Sequence, residues 1–418
     1  MLNTNKKIVS SLQKIGRFTF YFFLASIILL NLFILLSGRI YLYKGIRNTY
    51  LKGQSGPGIY ELGIFPYKTI EGAKNNLDWP FSKKWNTQGI SSKDQDFLKQ
   101  LKTKAFLVFK GDSLVFEHYG ENHSLHTVSN SFSAAKTLVA LLIGIAMEEG
   151  KIKSLDEPVG NYLKEFNSNR KEQITIRHLL IMASGLDWEE SASNPLSENA
   201  ESYYGSDLYG LVTRQKVITK PGQRFKYQSG NTQLLAFVLE KATGKSVSDY
   251  AEEKIWKQMD TQQNVYWSLD KEFGDEKAFC CVYATARDFG RLGKLLLQKG
   301  RWGSKQIVPE SYMNELFKVP NLATEEGVPN KRYAMHIWTY LGGKSPVYYC
   351  RGIKGQYIIS IPSEKVVIVR LGLERLDNFV FPKDKLKDKK YCRENVAKVG
   401  HSADFFEFLR IGRSIAQH

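Results

Sequence analysis

The longest apolar stretch of the chain lies near its N-terminus. Residues 18–37 contain no charged side chain and consist mostly of Phe, Leu and Ile. Twenty such residues are enough for a helix that crosses the hydrocarbon core of a bilayer. The pattern therefore predicts a transmembrane helix at 18–37, preceded by a basic tail at 1–17. It is followed by a juxtamembrane connector at 38–91, which mixes Gly, Pro, Lys and aromatic residues without a clear period.

A second apolar run follows Ser133 and predicts a buried helix. Residues 138–146 are all apolar, whereas a surface helix would show polar positions on one face. The pattern ends at Gly150, with Lys151 and Lys153 just beyond it, as helix C-termini prefer. We therefore predict a central buried helix that carries its polar side chains at its N-terminal end.

Strand patterns occur on both sides of a long helical stretch. Between residues 154 and 300 almost all patterns are helical, and a final amphipathic helix is predicted at 402–416. The order predicts an α+β fold of the α/β sandwich type, with one sheet built from both chain ends in a domain at 92–415. An all-α subdomain is inserted at about 154–300. The predicted strands are residues 105–109, 114–116, 356–361 and 366–371.

Positive charge is concentrated around the first apolar stretch. The net charge is +17, and residues 1–60 contain eight Lys or Arg and no Asp or Glu. Because basic residues lie on both sides of 18–37, they do not decide the orientation. A short tail usually stays inside, so we expect a single-pass protein of a bacterial inner membrane with its domain on the extracytoplasmic, periplasmic side. A cleaved signal peptide is the alternative, although Ser37-Gly38-Arg39 is a poor cleavage site.

The composition is globular, with 43% apolar and 24% charged residues. Beyond residue 60 the chain is only mildly basic and has no basic stripe interleaved with aromatics, so we expect no nucleic-acid partner. The cysteine and histidine spacings match no zinc site, and we expect no metal and no organic cofactor. Four cysteines allow a disulfide without requiring one; they are Cys280, Cys281, Cys350 and Cys392.

Candidate chemistry lies at the start of the buried helix. Ser133 and Lys136 are separated by two alanines, and three residues of helical advance bring them onto nearly the same face. A serine hydroxyl is a weak nucleophile at neutral pH, and a lysine in dry apolar surroundings can lose its proton and act as the base. The helix N-terminus adds N–H groups that can hold an oxyanion. We predict Ser133 as nucleophile and Lys136 as base; the alternative is an ordinary helix start with an exposed lysine.

Three segments together resemble the serine β-lactamase and penicillin-binding-protein superfamily, most nearly its class C-like esterases and 6-aminohexanoate-dimer hydrolases. These segments are residues 133–136, 150–159 and 174–186. The resemblance covers roughly residues 92–415. It implies a β-lactamase-like antiparallel sheet with terminal helices, and catalysis through an acyl-enzyme on the serine of the Ser-x-x-Lys motif.

The second motif of this superfamily is Tyr-x-Asn, in which the tyrosine relays protons together with the lysine. Tyr227-Gln228-Ser229 resembles it, with a serine at the third position as in the aminohexanoate-hydrolase branch. Ser206-Asp207-Leu208 begins like another form of the motif, but its last residue does not match. The resemblance therefore implies that Tyr227 is catalytic. The alternative is a loop tyrosine that packs on the core.

The third motif, Lys-Thr-Gly or His-x-Gly, is missing at the matching position. Residues 352–356 resemble the glycine-rich segment after this motif, which puts Tyr349-Cys350-Arg351 at the motif itself. Arg351 or Lys354 is then the candidate to bind a substrate charge. The resemblance also implies an oxyanion hole made by the backbone amides of Ser133 and of a residue at or near Gly352, which needs no particular side chain.

Together these features predict a serine hydrolase that cleaves an amide or ester bond in a small or peptide-like substrate. The resemblance implies an activity like that of 6-aminohexanoate-dimer hydrolases and esterases. A β-lactamase or a D-alanyl-D-alanine carboxypeptidase is the alternative enzyme, weakened by the missing third motif, which holds the carboxylate in penicillin recognition. A non-catalytic, membrane-tethered binding protein with the same fold is the alternative of another class. The natural substrate and the oligomeric state stay open.

Overall fold

The computed structural model describes residues 2–73, 78–87, 89–191, 193–261 and 263–417, with the backbone alone for residues 2–10. Its α-helices are α1 Leu2–Leu36, α2 Tyr41–Asn48, α3 Ser92–Gln100, α4 Ala135–Glu148, α5 Ile176–Leu180, α6 Glu198–Tyr204, α7 Leu208–Thr213, α8 Ser229–Thr243, α9 Val247–Lys254, α10 Ala286–Leu297, α11 Glu310–Leu316, α12 Lys389–Asn395 and α13 Ala403–Ala416. Its strands are β1 Tyr67–Ile70, β2 Thr103–Lys110, β3 Ser113–Tyr119, β4 Ser129–Asn130, β5 Arg224–Phe225, β6 Val265–Ser268, β7 Val282–Ala284, β8 Arg301–Trp302, β9 Lys305–Gln306, β10 Ala323–Thr324, β11 Trp338–Tyr340, β12 Val347–Gly352, β13 Gln356–Ile361 and β14 Val366–Gly372.

A six-stranded antiparallel sheet lies at the centre of the domain, in the order β11-β12-β13-β14-β2-β3. Strands β2 and β3 precede α4 in the chain, whereas β11 to β14 follow α10. Strand β14 pairs with β2 so that Ile368 lies opposite Val108. The prediction that one sheet is built from both ends of the domain is therefore confirmed.

Helices cover both faces of this sheet, which explains why its central strands are apolar without alternation. Successive side chains of a strand point to opposite faces. On one face, Val367 lies so close to Gly293 of α10 that a β-carbon at position 293 would collide with it. On the other face, Ile368 leaves no room for a β-carbon at Gly412 of α13. Both faces are therefore buried, and nearly every position of β14 must be apolar.

The inserted block is not entirely helical, so the prediction of an all-α subdomain is wrong in this respect. Strands β6 and β7 lie within it and belong to a second sheet with the order β1-β6-β7-β4. Strand β1 comes from the predicted connector and pairs with β6, with Tyr67 opposite Ser268 and Ile70 opposite Val265. These strands are short and their partners lie far away in the sequence, so local patterns did not reveal them.

The N-terminal helix is longer than its apolar stretch. Helix α1 begins at Leu2, so the predicted basic tail continues into the same helix. Its segment Ser11–Leu36 is long enough and apolar enough to cross a membrane. The chain bends after Leu36 and begins helix α2 at Tyr41. The connector therefore starts as a short helix packed against the domain.

Candidate active site

Ser133 lies in a single 3-10 turn, Phe132–Ala134, directly before the buried helix α4. This turn follows the short strand β4. Phe132 takes a left-handed backbone conformation with φ 45°, and its amide donates to the side-chain oxygen of Asn130 at 2.9 Å. The predicted three-residue spacing is kept, and Lys136 Nζ lies 3.1 Å from Ser133 Oγ.

Lys136 is only 1% exposed and has three oxygen partners. Besides Ser133, its amine donates to the carbonyl oxygen of Phe279 at 2.7 Å and to Ser229 Oγ at 3.0 Å. Burial lowers the pKa of Lys136 to about 8, because desolvation penalises the charged ammonium. The carboxylate of Glu190 acts in the opposite direction and favours the charged form.

Glu190 is a site residue that the sequence analysis missed. Its carboxylate accepts hydrogen bonds from the Ser229 hydroxyl at 2.5 Å and from the Ser229 amide at 2.6 Å. The indole N–H of Trp188 also donates to it, at 2.8 Å. Glu190 follows another glutamate in a polar loop, so nothing in the local sequence distinguishes it. Only the fold brings this loop to the start of helix α8.

The hydrogen-bond donors around Lys136 can be assigned one by one. The Phe279 carbonyl can only accept, so it takes one N–H of the amine. The hydroxyl proton of Ser229 goes to Glu190, so Ser229 accepts a second N–H from Lys136. A neutral amine has two N–H groups and one lone pair. Both N–H groups are therefore used, and the lone pair is left facing the hydroxyl of Ser133.

The structure brings Tyr227 to the same site. Its ring centroid lies 5.2 Å from Lys136 Nζ, and the ring packs against Tyr333 and Trp338. Burial raises the pKa of Tyr227, and the negative charge of Glu190 adds to this effect. A hydrogen bond with Ser133 and the positive charge of Arg351 offset the rise only in part.

The segment after the missing third motif runs directly past Ser133. At Gly352 a β-carbon would collide with the carbonyl oxygen of Ser131, so only glycine permits this close approach of strand β12. Ile353 lines the same cavity as Ser133. Strand β12 therefore passes beside the turn that carries Ser133, and the oxyanion hole made by the amides of Ser133 and of a residue at or near Gly352 stays a prediction.

Arg351 and Lys354, which were predicted to bind a substrate charge, flank the Gly352–Ile353 segment, and this role stays a prediction. The Arg351 guanidinium stacks on Trp338, 3.5 Å from the ring centroid, and donates to Asn378 Oδ1 at 3.2 Å and to the Gly400 carbonyl at 2.9 Å. Among the described residues that line the cavity, neither Arg351 nor Lys354 is found. Successive side chains of β12 point to opposite faces, so Arg351 lies on the face of the sheet that holds Trp338 and Tyr227, whereas Gly352 lies on the face toward the turn that carries Ser133.

A disulfide joins the neighbouring residues Cys280 and Cys281. Cys280 lines the cavity, and Cys281 has a left-handed backbone with φ 69°. The bridge directly follows Phe279, whose carbonyl holds Lys136. It therefore fixes the backbone next to the candidate base. The other two cysteines, Cys350 and Cys392, are free thiols.

Ser133 opens into a cavity of about 150 Å³. Its floor includes Ser133 and Ser229, and one wall comes from the loop and helix at 190–204. The opposite wall is supplied by residues 41–57, which the sequence analysis had placed outside the hydrolase domain.

Ser133 and Lys136 at the start of a buried helix, with Tyr227 beside them, lie between a sheet and a helical block, which is the arrangement of a β-lactamase-like fold. A family model described as Beta-lactamase matches residues 94–372. The chain therefore belongs to the beta-lactamase family, whose members are serine hydrolases.

Individual relatives agree with this assignment. A 6-aminohexanoate-dimer hydrolase of Paenarthrobacter ureafaciens is 25% identical over 292 residues, covering 66% of this chain and 74% of that protein. A solved structure from Bacillus anthracis, provisionally assigned as a 6-aminohexanoate-dimer hydrolase, superposes with a TM-score of 0.69 at 22% identity, covering 86% and 93% of the two chains. A family VIII carboxylesterase gives a TM-score of 0.55 at 16% identity, covering 74% and 98%. The two structures establish the fold.

Proposed function

We propose that this protein is a membrane-anchored serine hydrolase that cleaves an amide or ester bond through an acyl-enzyme on Ser133. The observation that carries the proposal is the hydrogen-bond pattern of Lys136, which leaves the lone pair of a neutral amine facing the Ser133 hydroxyl. The names of the relatives, a 6-aminohexanoate-dimer hydrolase and a carboxylesterase, support the amide or ester class.

In acylation, Ser133 Oγ attacks the substrate carbonyl carbon while Lys136 accepts the hydroxyl proton. The resulting oxyanion is held by the backbone amides of Ser133 and of the residue at or next to Gly352. The proton passes, with Tyr227 as relay, to the leaving amine or alcohol, and the C–N or C–O bond breaks. Water then attacks the acyl ester and gives its proton to the same groups, so the acid is released and the serine hydroxyl is restored.

The cavity favours an uncharged amide or ester over a penicillin. A penicillin carries a carboxylate, and the two cations that the sequence offered for it, Arg351 and Lys354, are not among the described residues of the cavity wall. We assign Arg351 instead to the aromatic cluster of Trp338 and Tyr227, where its charge offsets a small part of the rise that burial causes in the pKa of the tyrosine.

The test of the proposed function is covalent labelling with a fluorophosphonate probe, combined with a panel of short esters, short amides and penicillins. We expect labelling and hydrolysis by the full chain, and neither by Ser133→Ala. If the folded protein forms no adduct and hydrolyses none of these substrates, the proposal is wrong and a non-catalytic binding protein becomes the better interpretation. Strong labelling by a fluorescent penicillin would instead favour a penicillin-recognising enzyme.

We further propose that α1 is retained as a membrane anchor, with the domain on the extracytoplasmic side. The helix has the length and composition of a membrane span. Its residue Ile34 is also fully buried, packed with Tyr41 and Leu42 of the domain wall. Carbonate washing of membranes and sequencing of the mature N-terminus test the anchor. A soluble protein that begins near residue 38 would contradict it.

A further inference from the structure

Helix α2 presents one face to the catalytic cavity. Its cavity-lining positions recur with helical spacing, and they are Tyr41, Leu42, Gly45, Ile46 and Thr49. The Tyr41 hydroxyl donates to the Pro195 carbonyl at 3.0 Å, and the neighbouring Arg39 donates to the Leu196 carbonyl at 3.2 Å. Helix α2 is therefore fixed across the cavity to the loop that also carries Glu190.

The opposite face of this segment has the character of a membrane-surface helix. Ile40 and Tyr43 are exposed there beside Arg47 and the half-buried Lys44, and Leu51 is exposed just after the helix. Apolar and tyrosine side chains mixed with basic groups are typical of segments at the boundary between headgroups and acyl chains. These apolar, tyrosine and basic side chains thus lie on the outer side of the segment whose inner side forms the cavity wall.

The cavity wall is also directly continuous with the proposed anchor. Only four residues separate the end of α1 at Leu36 from the start of α2 at Tyr41. Ile34 of α1 packs on Tyr41 and Leu42 of the wall. The apolar side of the cavity therefore begins within about one helical turn of the place where the chain leaves the bilayer.

We propose that the substrate is a membrane-borne amphiphile, an acyl ester or acyl amide whose hydrocarbon chain lies in this cavity while its carbonyl carbon meets Ser133. The inference rests on the proposed function and adds the substrate class. The walls near the nucleophile are mainly apolar and aromatic, with Leu42, Ile46, Phe279 and Ile353 among them. Such walls stabilise a hydrocarbon chain by removing it from water.

The first experiment measures how hydrolysis depends on acyl length. The full chain in phosphatidylcholine vesicles is assayed with p-nitrophenyl esters from acetate to hexanoate. Burial of each added methylene should raise kcat/KM by about fourfold. In Leu42→Asn, which places an amide in the apolar wall, the dependence on length should be largely lost. Leu386→Asn is the matched control, because Leu386 is 56% exposed and lies outside both the cavity and the membrane-surface segment; its profile should equal that of the native protein.

The outcomes separate this inference from the proposed function. If the native protein hydrolyses acetate and is labelled at Ser133, but shows no gain with acyl length, the substrate class is wrong and the hydrolase remains. If nothing is hydrolysed and nothing is labelled, the proposed function itself fails. If Leu42→Asn fails to fold, loss of fluorophosphonate labelling will reveal it. In that case the dependence of kcat/KM on acyl length in the native protein still tests the substrate class.

The second experiment tests whether the enzyme takes its substrate from the bilayer that holds the protein. p-Nitrophenyl palmitate, which leaves a bilayer slowly, is placed either in the vesicles that hold the protein or in separate protein-free vesicles. We expect at least tenfold faster hydrolysis in the first arrangement. Equal rates in both arrangements would overturn the membrane origin of the substrate.

Discussion

The carboxylate of Glu190 holds Ser229 by two hydrogen bonds, one from its hydroxyl at 2.5 Å and one from its amide at 2.6 Å. Because the Ser229 hydroxyl donates its proton to Glu190, its oxygen accepts a hydrogen bond from the Lys136 amine. Glu190 therefore orients, through Ser229, the amine that we propose as the base for Ser133. The charge of Glu190 also favours the protonated amine and so offsets part of the fall in pKa that burial causes. One side chain therefore both orients Lys136 and keeps its pKa higher than burial alone would.

Lys136→Arg should abolish acylation. A guanidinium stays protonated at all accessible pH values and cannot accept the Ser133 proton. Loss of a positioned general base costs about 10²-fold to 10⁴-fold in rate. The rate of fluorophosphonate labelling measures this effect, and Lys136→Met serves as a second variant without charge. A labelled, active Lys136→Arg protein whose melting temperature matches the native one would contradict the assignment of Lys136 as the base.

The activity of the native protein should rise with pH through about pH 8 and then level off. The pKa of Lys136 is lowered to about 8 by burial, and only the neutral amine can act as a base. In Glu190→Gln the negative charge that favours the ammonium is gone, so the acid limb of kcat/KM should move to lower pH.

Glu189→Gln is the matched control for this pH profile. Glu189 is the exposed neighbour of Glu190 and lies outside the hydrogen bonds to Ser229. The acid limb of the kcat/KM profile of Glu189→Gln should stay near that of the native protein. An acid limb that moves upward in Glu190→Gln, or equally in both variants, would show that Glu190 does not favour the charged form of Lys136.

Reduction of the Cys280–Cys281 disulfide should slow acylation by up to about 10²-fold, since misplacing a catalytic group by about 1 Å can cost that much in rate. The bridge adjoins Phe279, whose carbonyl accepts from Lys136 at 2.7 Å. Cys280→Ala/Cys281→Ala should show the same low labelling rate with or without reductant. Cys392→Ala, which removes a free thiol, should respond to reductant like the native protein. If reduction leaves the native rate unchanged, the bridge does not position the base.

Lys277 should make the stability of the fold depend on pH in alkaline solution. It is fully buried beside Phe65, its amine donates to the Ser202 carbonyl at 3.1 Å, and burial lowers its pKa to about 7 from an ordinary value of 10.5. Between these two values the unfolded chain holds a proton that the folded chain lacks. The free energy of unfolding should therefore rise with pH across this window.

Lys277→Met should remove this contribution, so its free energy of unfolding should rise less between pH 7 and pH 10. Urea unfolding of the full chain in detergent micelles measures the difference, with exposed Lys83→Met as the control. Equal pH dependence in the native protein and in Lys277→Met would show that Lys277 is not held neutral in the fold.

The sequence by itself determined the features that depend on local spacing. Ser133 and Lys136 meet because three residues of helical advance place them together, and an all-apolar run after them permits only a buried helix. Four of the six strands of the central sheet, β2, β3, β13 and β14, and the apolar N-terminal helix were likewise visible, because each is a continuous stretch of mostly apolar residues. The short strand β11 and strand β12 were not predicted from the pattern.

Only the tertiary structure decided how the site is completed. Phe279 is 143 residues from Lys136, and Glu190 is 39 residues from Ser229, so no local pattern links them. The direction of Arg351 follows from the register of strand β12. The cavity wall at 41–57 lies beside Ser133 because Tyr41 and Arg39 bond to the loop at 195–196. Such contacts arise from the packing of distant segments, whose free energy depends on shape and burial in three dimensions and leaves no periodic trace along the chain.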